Sequence, residues 1–230
     1  MFVGPSTPEI LLEDIRRLLR GEPPLSEEGK DYLAVLPSTK PETALTEKIW
    51  LPLVELLQKE ARVAWSGQMQ AGDGWVDYLI RGASGNPVAI ELKPPLVWDK
   101  RQKKIVSRDL DWHLRDLSSM ESSGRNQVKD YLRDYEYVVL TNLVEYALFN
   151  REALVRFEPF ARGEFADLYR EIRQVADPWE ALRRIEDRTP RHGLDRRFYE
   201  DLKRWYARLT EVRFREGLSE PEKAEKRVCC

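Results

Sequence analysis

Two short apolar segments of this chain contain charged residues that could do chemistry. In GWVDYLIRGASGNPVAIELKPP, Asp77 lies inside the first segment, and Glu91 and Lys93 close the second. Two carboxylates about 4 Å apart repel each other by roughly 4 kcal/mol at an effective dielectric constant near 20. Because that repulsion is a large share of a domain's stability, a positive charge is expected beside the two acids.

Two sources of positive charge fit this pattern. Lys93 alone could neutralise one carboxylate, which would make a partly buried ion pair at the end of a sheet. A divalent cation would neutralise both, and carboxylate oxygens are ligands that suit Mg²⁺ and Mn²⁺. With such a cation present, Lys93 could hold and polarise a water molecule that attacks a phosphate ester. The spacing of the three residues leaves both interpretations open.

The elements that must position these residues are two β-strands. Apolar and polar side chains alternate in WVDYLIR and in VAIELK, and the GASGN sequence between them predicts a turn. We therefore expect an antiparallel hairpin. Residues two apart on a strand face the same side, so Glu91 and Lys93 share a face, and Asp77 comes close to Glu91 across the hairpin.

The rest of the chain predicts helices around further strands, which is typical of an α/β protein. Pro52 should kink or shorten the second helix, a loop is expected at 37–43, and residues 96–121 show no clear pattern. The expected elements are helices at 8–20 and about 43–61, a helix from Ser122 or Ser123 to about 135, strands at 137–141 and 145–150, and helical segments from 164 onward.

The composition is that of an ordinary soluble globular protein, with 42% hydrophobic and 34% charged residues among 230. At a net charge of −2, any contact with nucleic acid would need a local basic patch. Cys229 and Cys230 are the only cysteines, which excludes a disulfide framework and a cysteine-based zinc site. Without an apolar run long enough for a membrane span or a leader-like N-terminus, we expect a cytoplasmic protein with no membrane partner.

The order of the charged residues resembles a known nuclease motif. An Asp, a variable gap and then Glu-x-Lys at the end of an apolar strand resemble the PD-(D/E)xK nuclease superfamily, here Asp77, Glu91 and Lys93. Upstream, TEKIWLPLVELL resembles the helix that precedes this core in restriction enzymes, where a glutamate lines the metal site, and Glu47 fits that position. Val76 stands where the superfamily usually has proline, a departure that it tolerates.

The resemblance continues downstream. Gln127 and Tyr131 form a Q-x-x-x-Y pair similar to the extra motif of RecB-like nucleases. One helical turn apart, these side chains share a face and could reach the substrate or Lys93. IELKPP and VVLTNLVEYALFNRE are similar to the N-terminal nuclease domains of type IIG and type ISP restriction-modification enzymes, and LDRRFYEDLKRWYARL resembles the helical linker before their methyltransferase. The likeness covers about residues 43–210.

For the fold, this resemblance implies a restriction-endonuclease-like core, a mixed central β-sheet flanked by helices, with a C-terminal helical appendage. The chain has no Gly-rich cofactor loop and no Asn-Pro-Pro-Tyr motif. A methyltransferase and target-recognition module is therefore expected on a separate chain or in a parent protein. The implied division is an N-terminal helix and linker at 1–42, the nuclease core at 43–162, the appendage at 163–218 and a flexible tail at 219–230.

For chemistry, the resemblance implies Mg²⁺-dependent hydrolysis of DNA phosphodiester bonds that leaves 5′-phosphate and 3′-hydroxyl ends. Mn²⁺ is expected to substitute for Mg²⁺. Lys93 would position the attacking water, and the helix that carries Gln127 and Tyr131 would help to place the DNA strand. The implied metal ligands are Asp77, Glu91, the backbone carbonyl of Leu92, and Glu47.

These residues also have alternative interpretations. Glu47 could be a first-turn glutamate that complements the helix dipole, and Gln127 and Tyr131 could be a surface amide and a phenol at the edge of the core. A basic run could be a solvated surface or could grip DNA phosphates, and it consists of Lys100, Arg101, Lys103 and Lys104. The alternative to an enzyme is a non-catalytic nuclease-like module that binds DNA or assembles a restriction complex. RNA or branched DNA would also fit as a substrate.

Overall fold

The computed structural model describes residues 7–71, 74–120, 126–189 and 204–206. Its strands are β1 (Ala64–Ala71), β2 (Gly74–Arg81), β3 (Pro87–Leu92), β4 (Leu96–Asp99), β5 (Lys104–Ser107), β6 (Val138–Thr141), β7 (Glu145–Phe149) and β8 (Ala161–Glu164). Six of them form a central sheet in the order β1-β2-β3-β6-β7-β8, and β4 and β5 form a separate hairpin. β3 and β6 run parallel and the other neighbours antiparallel, so the sheet is mixed.

Helices cover both faces of this sheet. The described helices are α1 (Pro8–Leu19), α2 (Glu27–Val35), α3 (Pro41–Leu45), α4 (Leu51–Ala61), α5 (Leu110–Met120), α6 (Gln127–Asp134), α7 (Phe165–Val175) and α8 (Pro178–Arg188). Leu79 and Ala89 share a core with apolar residues of α5 and α6. Tyr78 and Ile90 share the other core with the remaining helices. The structure confirms the predicted α/β class, and none of its described helices is long and apolar enough to span a membrane.

The predicted hairpin of β2 and β3 is confirmed, with Tyr78 opposite Ile90. Glycine is required at two places in its turn. Gly85 has φ +75°, a conformation that side chains with a Cβ rarely adopt. At Gly82, an added Cβ would lie 2.4 Å from the Cα of Asp177, just before α8. The start of α8 therefore packs directly on the turn and fixes the hairpin.

The second predicted helix begins earlier than expected. α3, a π-helical turn (Thr46–Trp50) and α4 follow one another without a break, so the prediction of a loop through residue 43 was wrong. Pro52 lies in the first turn of α4 and has no N–H to donate. The π-helical turn directly precedes it, at the point where the regular hydrogen-bond ladder is interrupted.

The helix that carries the Q-x-x-x-Y pair begins later than expected. Asn126 has extended backbone geometry, and its side chain caps α6 by accepting a hydrogen bond from the N–H of Lys129 at 3.2 Å. The Asn126 amide also donates to the carbonyl of Leu117 in α5 at 3.0 Å. The helix therefore starts at Gln127, and the predicted start at Ser122 or Ser123 lies outside the described residues.

The C-terminal helices α7 and α8 belong to the main core. Phe165, Leu168 and Leu182 are buried in the same cluster as α1 and α4. The compact unit runs from Met1 to Arg188 and so includes helices that the predicted division places in an appendage from 163. Thr189–Cys230 forms a second unit, in which Thr189 and a helical turn at 204–206 are described. The predicted tail at 219–230 lies outside the described residues.

Candidate active site

Asp77 and Glu91 lie together in the central sheet, near the C-terminal end of β3, and this end of the sheet is called its edge. Tyr78 and Ile90 form the last pair of the β2–β3 ladder, and Asp77 and Glu91 are the next residues of the two strands at that end. The Asp77 carboxylate accepts from the N–H of Leu92, the residue after Glu91, and the charge of Glu91 acts on the pKa of Asp77, so the two acids lie near each other. The structure thus brings the two acids together on adjacent antiparallel strands, as the strand pattern predicts.

Asp77 is held by the backbone of the neighbouring strand. The N–H of Leu92 donates to Oδ2 of Asp77 at 2.9 Å. Burial, and after it the negative charge of Glu91, raise the pKa of Asp77 to about 7, although the Leu92 N–H and Lys93 act in the opposite direction. The raised pKa favours the protonated form of this carboxyl at a higher pH than for an ordinary aspartate.

Glu91 has a partner at each carboxylate oxygen. The residue is only 2% exposed, and Nζ of Lys93 lies 2.6 Å from its Oε1. The hydroxyl of Tyr131 donates to Oε2 at 2.8 Å. Burial and then the charge of Glu91 raise the pKa of Tyr131 far above its ordinary value, so the phenol stays protonated and acts as a donor.

α6 also supplies a second partner for Lys93. Oε1 of Gln127 accepts a hydrogen bond from Nζ of Lys93 at 3.0 Å. Gln127 and Tyr131 lie one turn apart, so one face of α6 contacts both the ammonium and the carboxylate. The predicted reach of Gln127 to Lys93 is confirmed, and the polar chain runs from Gln127 through Lys93 and Glu91 to Tyr131.

The charges of this cluster do not balance when both acids are ionised. Lys93 supplies one positive charge against two negative charges, which favours an additional proton or cation. Two carboxylates, the backbone carbonyl of Leu92 and several waters would suit Mg²⁺, which keeps much of its water shell in proteins. The donor set therefore fits Mg²⁺. Within the described residues, no group of three or more His, Cys, Asp or Glu side chains is placed to hold a metal.

Glu47 lies close by but outside this cluster. It is exposed on the π-helical turn that precedes α4. Burial raises the pKa of Tyr78, a hydrogen bond with Thr46 lowers it, and the charges of Asp77 and Glu47 raise it further. Both acids therefore lie near the Tyr78 hydroxyl. In the described ranges, no group of three acids joins Glu47 to Asp77 and Glu91.

The predicted basic run forms the tip of the β4–β5 hairpin. This hairpin leaves the sheet edge just after Lys93, and the N–H of Arg108 donates to the carbonyl of Pro95 at 2.8 Å, which closes its base. In the part of the chain that the structure describes, no ion pair engages the cations of the tip. All four are exposed, namely Lys100, Arg101, Lys103 and Lys104.

α5 brings further residues to the same edge, and none of them was predicted as part of a site. His113 is 4% exposed, with Nε2 3.3 Å from the carbonyl of Pro94. Burial lowers the pKa of His113, and the charges of Lys93 and Arg108 also act to lower it, so both cations lie near this ring. The ring of Trp112 packs edge-on against the His113 ring, with 5.0 Å between the ring centroids. A lone histidine and tryptophan in a polar segment give no motif that could have identified them.

Comparison with known proteins identified no relative of this chain. No family model matches this chain, and neither does any curated protein or solved structure with which it was compared. The resemblance in Asp77, Glu91, Lys93 and the Q-x-x-x-Y pair stays a prediction. A function must therefore be argued from the geometry of the cluster itself.

Proposed function

We propose that the protein is a Mg²⁺-dependent DNA endonuclease of the PD-(D/E)xK type that serves as the nuclease part of a restriction-modification system. The observation that carries this proposal is the facing pair of Asp77 and Glu91 at the sheet edge, with the Lys93 ammonium 2.6 Å from Glu91. A mixed sheet that places these acids beneath a helix is compatible with a restriction-endonuclease-like core. The reaction is phosphodiester hydrolysis to 5′-phosphate and 3′-hydroxyl ends.

The cation would be held by Asp77, Glu91 and the backbone carbonyl of Leu92. When bound, Mg²⁺ would supply Lewis-acid polarisation of a phosphoryl oxygen, and the same ligands accept Mn²⁺. Glu91 retains the capacity to bind, because an ionised carboxylate has about four lone-pair sites and Lys93 and Tyr131 use two of them. We leave Glu47 out of this ligand set, because the structure does not bring it into the cluster.

Lys93 is the residue that would position the attacking water. Its ammonium has three N–H donors, and two of them are directed to Glu91 and Gln127. The third donor would hold the water beside the phosphate. Gln127 acts as a positioning residue for Lys93, and Tyr131 as a positioning residue for Glu91, since each contacts its partner directly.

The exposed tip of the β4–β5 hairpin would contact the DNA backbone. Its four cations are consecutive or nearly so, exposed and close in the chain to Lys93. Cations of this kind bind phosphates without reading sequence. Sequence recognition would therefore come from the separate target-recognition and methyltransferase module.

A non-catalytic nuclease-like module is the second candidate, and one observation favours it. Glu91 has a partner at both oxygens, and Lys93 uses two of its three donors within the protein. The cluster is therefore also a self-sufficient polar network that could simply close the end of the sheet. Such a module would bind DNA or assemble a restriction complex without cleaving.

Plasmid nicking tests the proposal directly. The full-length protein is incubated with supercoiled plasmid and Mg²⁺ or Mn²⁺, alone and with the methyltransferase encoded beside it where one exists. We expect nicking by the wild type and none by Glu91→Gln. A wild type that leaves the plasmid intact with both metals and with the partner present would overturn the enzyme proposal.

Metal-dependent stability separates the two candidates. A cation that binds the folded state raises the unfolding temperature by mass action. The nuclease proposal predicts that Mg²⁺ stabilises the wild type and has little effect on an Asp77→Asn, Glu91→Gln double variant. A module without a metal site would show the same small response to Mg²⁺ in both proteins.

A further inference from the structure

A cleft of about 360 Å³ lies at the same edge of the sheet as the candidate site. Arg108 lines it from the segment before α5, Trp112 and Arg115 line it from α5 itself, and Asn142 lines it just after β6. β6 is the parallel neighbour of β3, and the N–H of Lys93 donates to the carbonyl of the residue before Asn142 at 2.8 Å. The strand that ends at the cleft is therefore the direct neighbour of the strand that precedes Lys93, and such neighbours lie about 5 Å apart.

One wall of the cleft is a flat cationic surface. Cζ of Arg108 lies 3.9 Å from the ring centroid of Trp112, and Trp112 is 36% exposed. Arg115 is exposed beside them. In the described ranges, neither arginine forms an ion pair with an acid. Aromatic rings and guanidinium planes are the surfaces on which unpaired nucleobases stack, and free guanidinium groups also bind phosphate.

Asn142, another residue that lines the cleft, offers a directed hydrogen bond. It is only 1% exposed. Its Oδ1 accepts from the N–H groups of Val144 and Glu145 at 3.1 and 2.8 Å, which fixes the orientation of the amide. No acceptor among the described residues meets the Nδ2 of Asn142. This amide group lines the cleft and can donate to an acceptor on a ligand there.

Two acids also line the cleft, and both are engaged by backbone. Oδ1 of Asp109 accepts from the N–H of Trp112 at 2.7 Å. Oε2 of Glu145 accepts from the N–H of Leu110 at 3.4 Å. Both carboxylates therefore hold the first turn of α5, and the two arginines supply the cationic donors of the cleft.

We propose that this cleft binds one unpaired nucleotide of the DNA strand that the candidate site cleaves. The base stacks on the Arg108–Trp112 surface and accepts a hydrogen bond from Nδ2 of Asn142, and an adjoining phosphate contacts Arg115. A base inside an intact duplex cannot enter such a cleft without leaving the stack. The inference, which rests on the proposed nuclease function for the identity of the strand, makes flaps, gaps and frayed ends the preferred substrates.

Binding without metal tests this proposal separately from cleavage. Affinities of the full-length protein for fluorescent single-stranded oligothymidine and for a fully paired duplex are measured by anisotropy in EDTA, with oligouridine to compare RNA. Arg108→Ala and Trp112→Ala should each weaken single-strand binding about tenfold, as expected for loss of a stacked base. Duplex affinity should change by less than about twofold, because phosphate contacts outside the cleft remain.

Two variants control for structural effects. Trp112→Phe keeps an aromatic surface and should retain single-strand affinity close to that of the wild type. Arg183→Ala removes a guanidinium that lies 5.8 Å from the Trp179 ring on α8, an arginine–tryptophan pair away from the cleft. The affinity of Arg183→Ala for the single strand should equal that of the wild type. Equal losses in Arg183→Ala and Arg108→Ala would overturn the proposal.

The outcomes for the cleft and for the enzyme remain distinguishable. A wild type that nicks duplex DNA with Mg²⁺ but does not bind the single strand overturns the nucleotide subsite and supports the nuclease. A wild type that binds the single strand through Arg108 and Trp112 but cleaves nothing supports the subsite and overturns the nuclease. Stronger binding to oligouridine than to oligothymidine would overturn the assignment of DNA as the strand.

Discussion

Asp14 and Glu91 are both buried carboxylates, and they differ in what surrounds the charge. Asp14 of α1 is fully buried, and it accepts hydrogen bonds from the N–H of Leu25 and from both the N–H and the hydroxyl of Ser26. Glu91 is 2% exposed and faces a second acid, Asp77. Neutral donors surround the first carboxylate, whereas the facing acids share one ammonium.

This difference separates a structural carboxylate from a candidate catalytic pair. The donors to Asp14 belong to the segment between α1 and α2, so the carboxylate holds that segment in place and its burial is compensated by hydrogen bonds. Asp77 and Glu91 keep an excess negative charge that only a proton or a further cation removes. Burial of an acid is therefore a weak sign of function, and two facing acids with one ammonium are a stronger one.

The proposed difference between the Asp14 site and the Asp77–Glu91 pair is tested most strongly at Lys93. Lys93→Ala is expected to lower Mg²⁺-dependent plasmid nicking by about 10²- to 10⁴-fold, because it removes the group positioned to hold the attacking water. Initial nicking rates at saturating Mg²⁺ measure this effect, and circular dichroism verifies folding. Lys30→Ala is the matched control, since Lys30 forms an equally short ion pair of 2.6 Å on the exposed side of α2. Wild-type rates for Lys93→Ala would contradict its role.

A pH series tests the charge imbalance. The pKa of Asp77, about 7 in the folded protein, lies above its ordinary value of 3.8. The folded state therefore binds more protons than the unfolded state between these pH values, and the free energy of unfolding falls as pH rises through them. The loss is at most about 4 kcal/mol, at 1.36 kcal/mol per pKa unit. Asp77→Asn should lack this loss and be the more stable protein at pH 8 in EDTA.

Urea denaturation of the wild type and Asp77→Asn at pH 5 and pH 8 measures that difference. Mg²⁺ added at pH 8 should stabilise the wild type and leave Asp77→Asn nearly unchanged. Asp31→Asn serves as the control, because its carboxylate is 62% exposed and pairs with Lys48 at 3.6 Å. Parallel pH profiles for all three proteins would show that the facing acids carry no excess charge.

The opposite result is expected at Asp14, where substitution should lower stability and leave nicking unchanged. Asp14→Ala leaves the three donors of Leu25 and Ser26 without their acceptor and should lower the free energy of unfolding by about 2–4 kcal/mol. Asp31→Ala, an exposed control, should change it by less than about 1 kcal/mol. Nicking per folded molecule should equal that of the wild type. A specific loss of nicking in Asp14→Ala would remove the distinction between the two carboxylate sites.

How far the fold can be predicted depends on how local each signal is. β6 is a continuous apolar run that is buried at all four residues, and it was predicted from its sequence alone. β1, with the sequence AWSGQMQA, has few apolar residues and is stabilised by pairing with β2, so no local pattern revealed it. The start of α6 depends on Asn126, whose amide also bonds to α5, a contact that spacing does not encode.

In the candidate site, too, local contacts can be predicted from the sequence and contacts made by tertiary packing cannot. The approach of Asp77 to Glu91 follows from the two-residue period of paired strands, so the sequence predicts it. The contact of Gln127 with Lys93 requires α6 to pack over the sheet edge, which only the tertiary structure determines. The cleft of Trp112 depends on the parallel pairing of β3 and β6, two strands far apart in the chain. Neither feature has a signal in residue spacing.

The smallest expected effect concerns Gln127. Its hydrogen bond to Lys93 is exposed, so Gln127→Ala should cost about 1 kcal/mol and slow nicking about fivefold at saturating Mg²⁺. Gln174→Ala, an exposed glutamine on α7, is the control and should nick at the wild-type rate. Because Gln127 acts through Lys93, the double variant should be no slower than Lys93→Ala alone. An additive loss would mean that Gln127 contacts DNA directly and that the polar chain around Glu91 ends at Lys93.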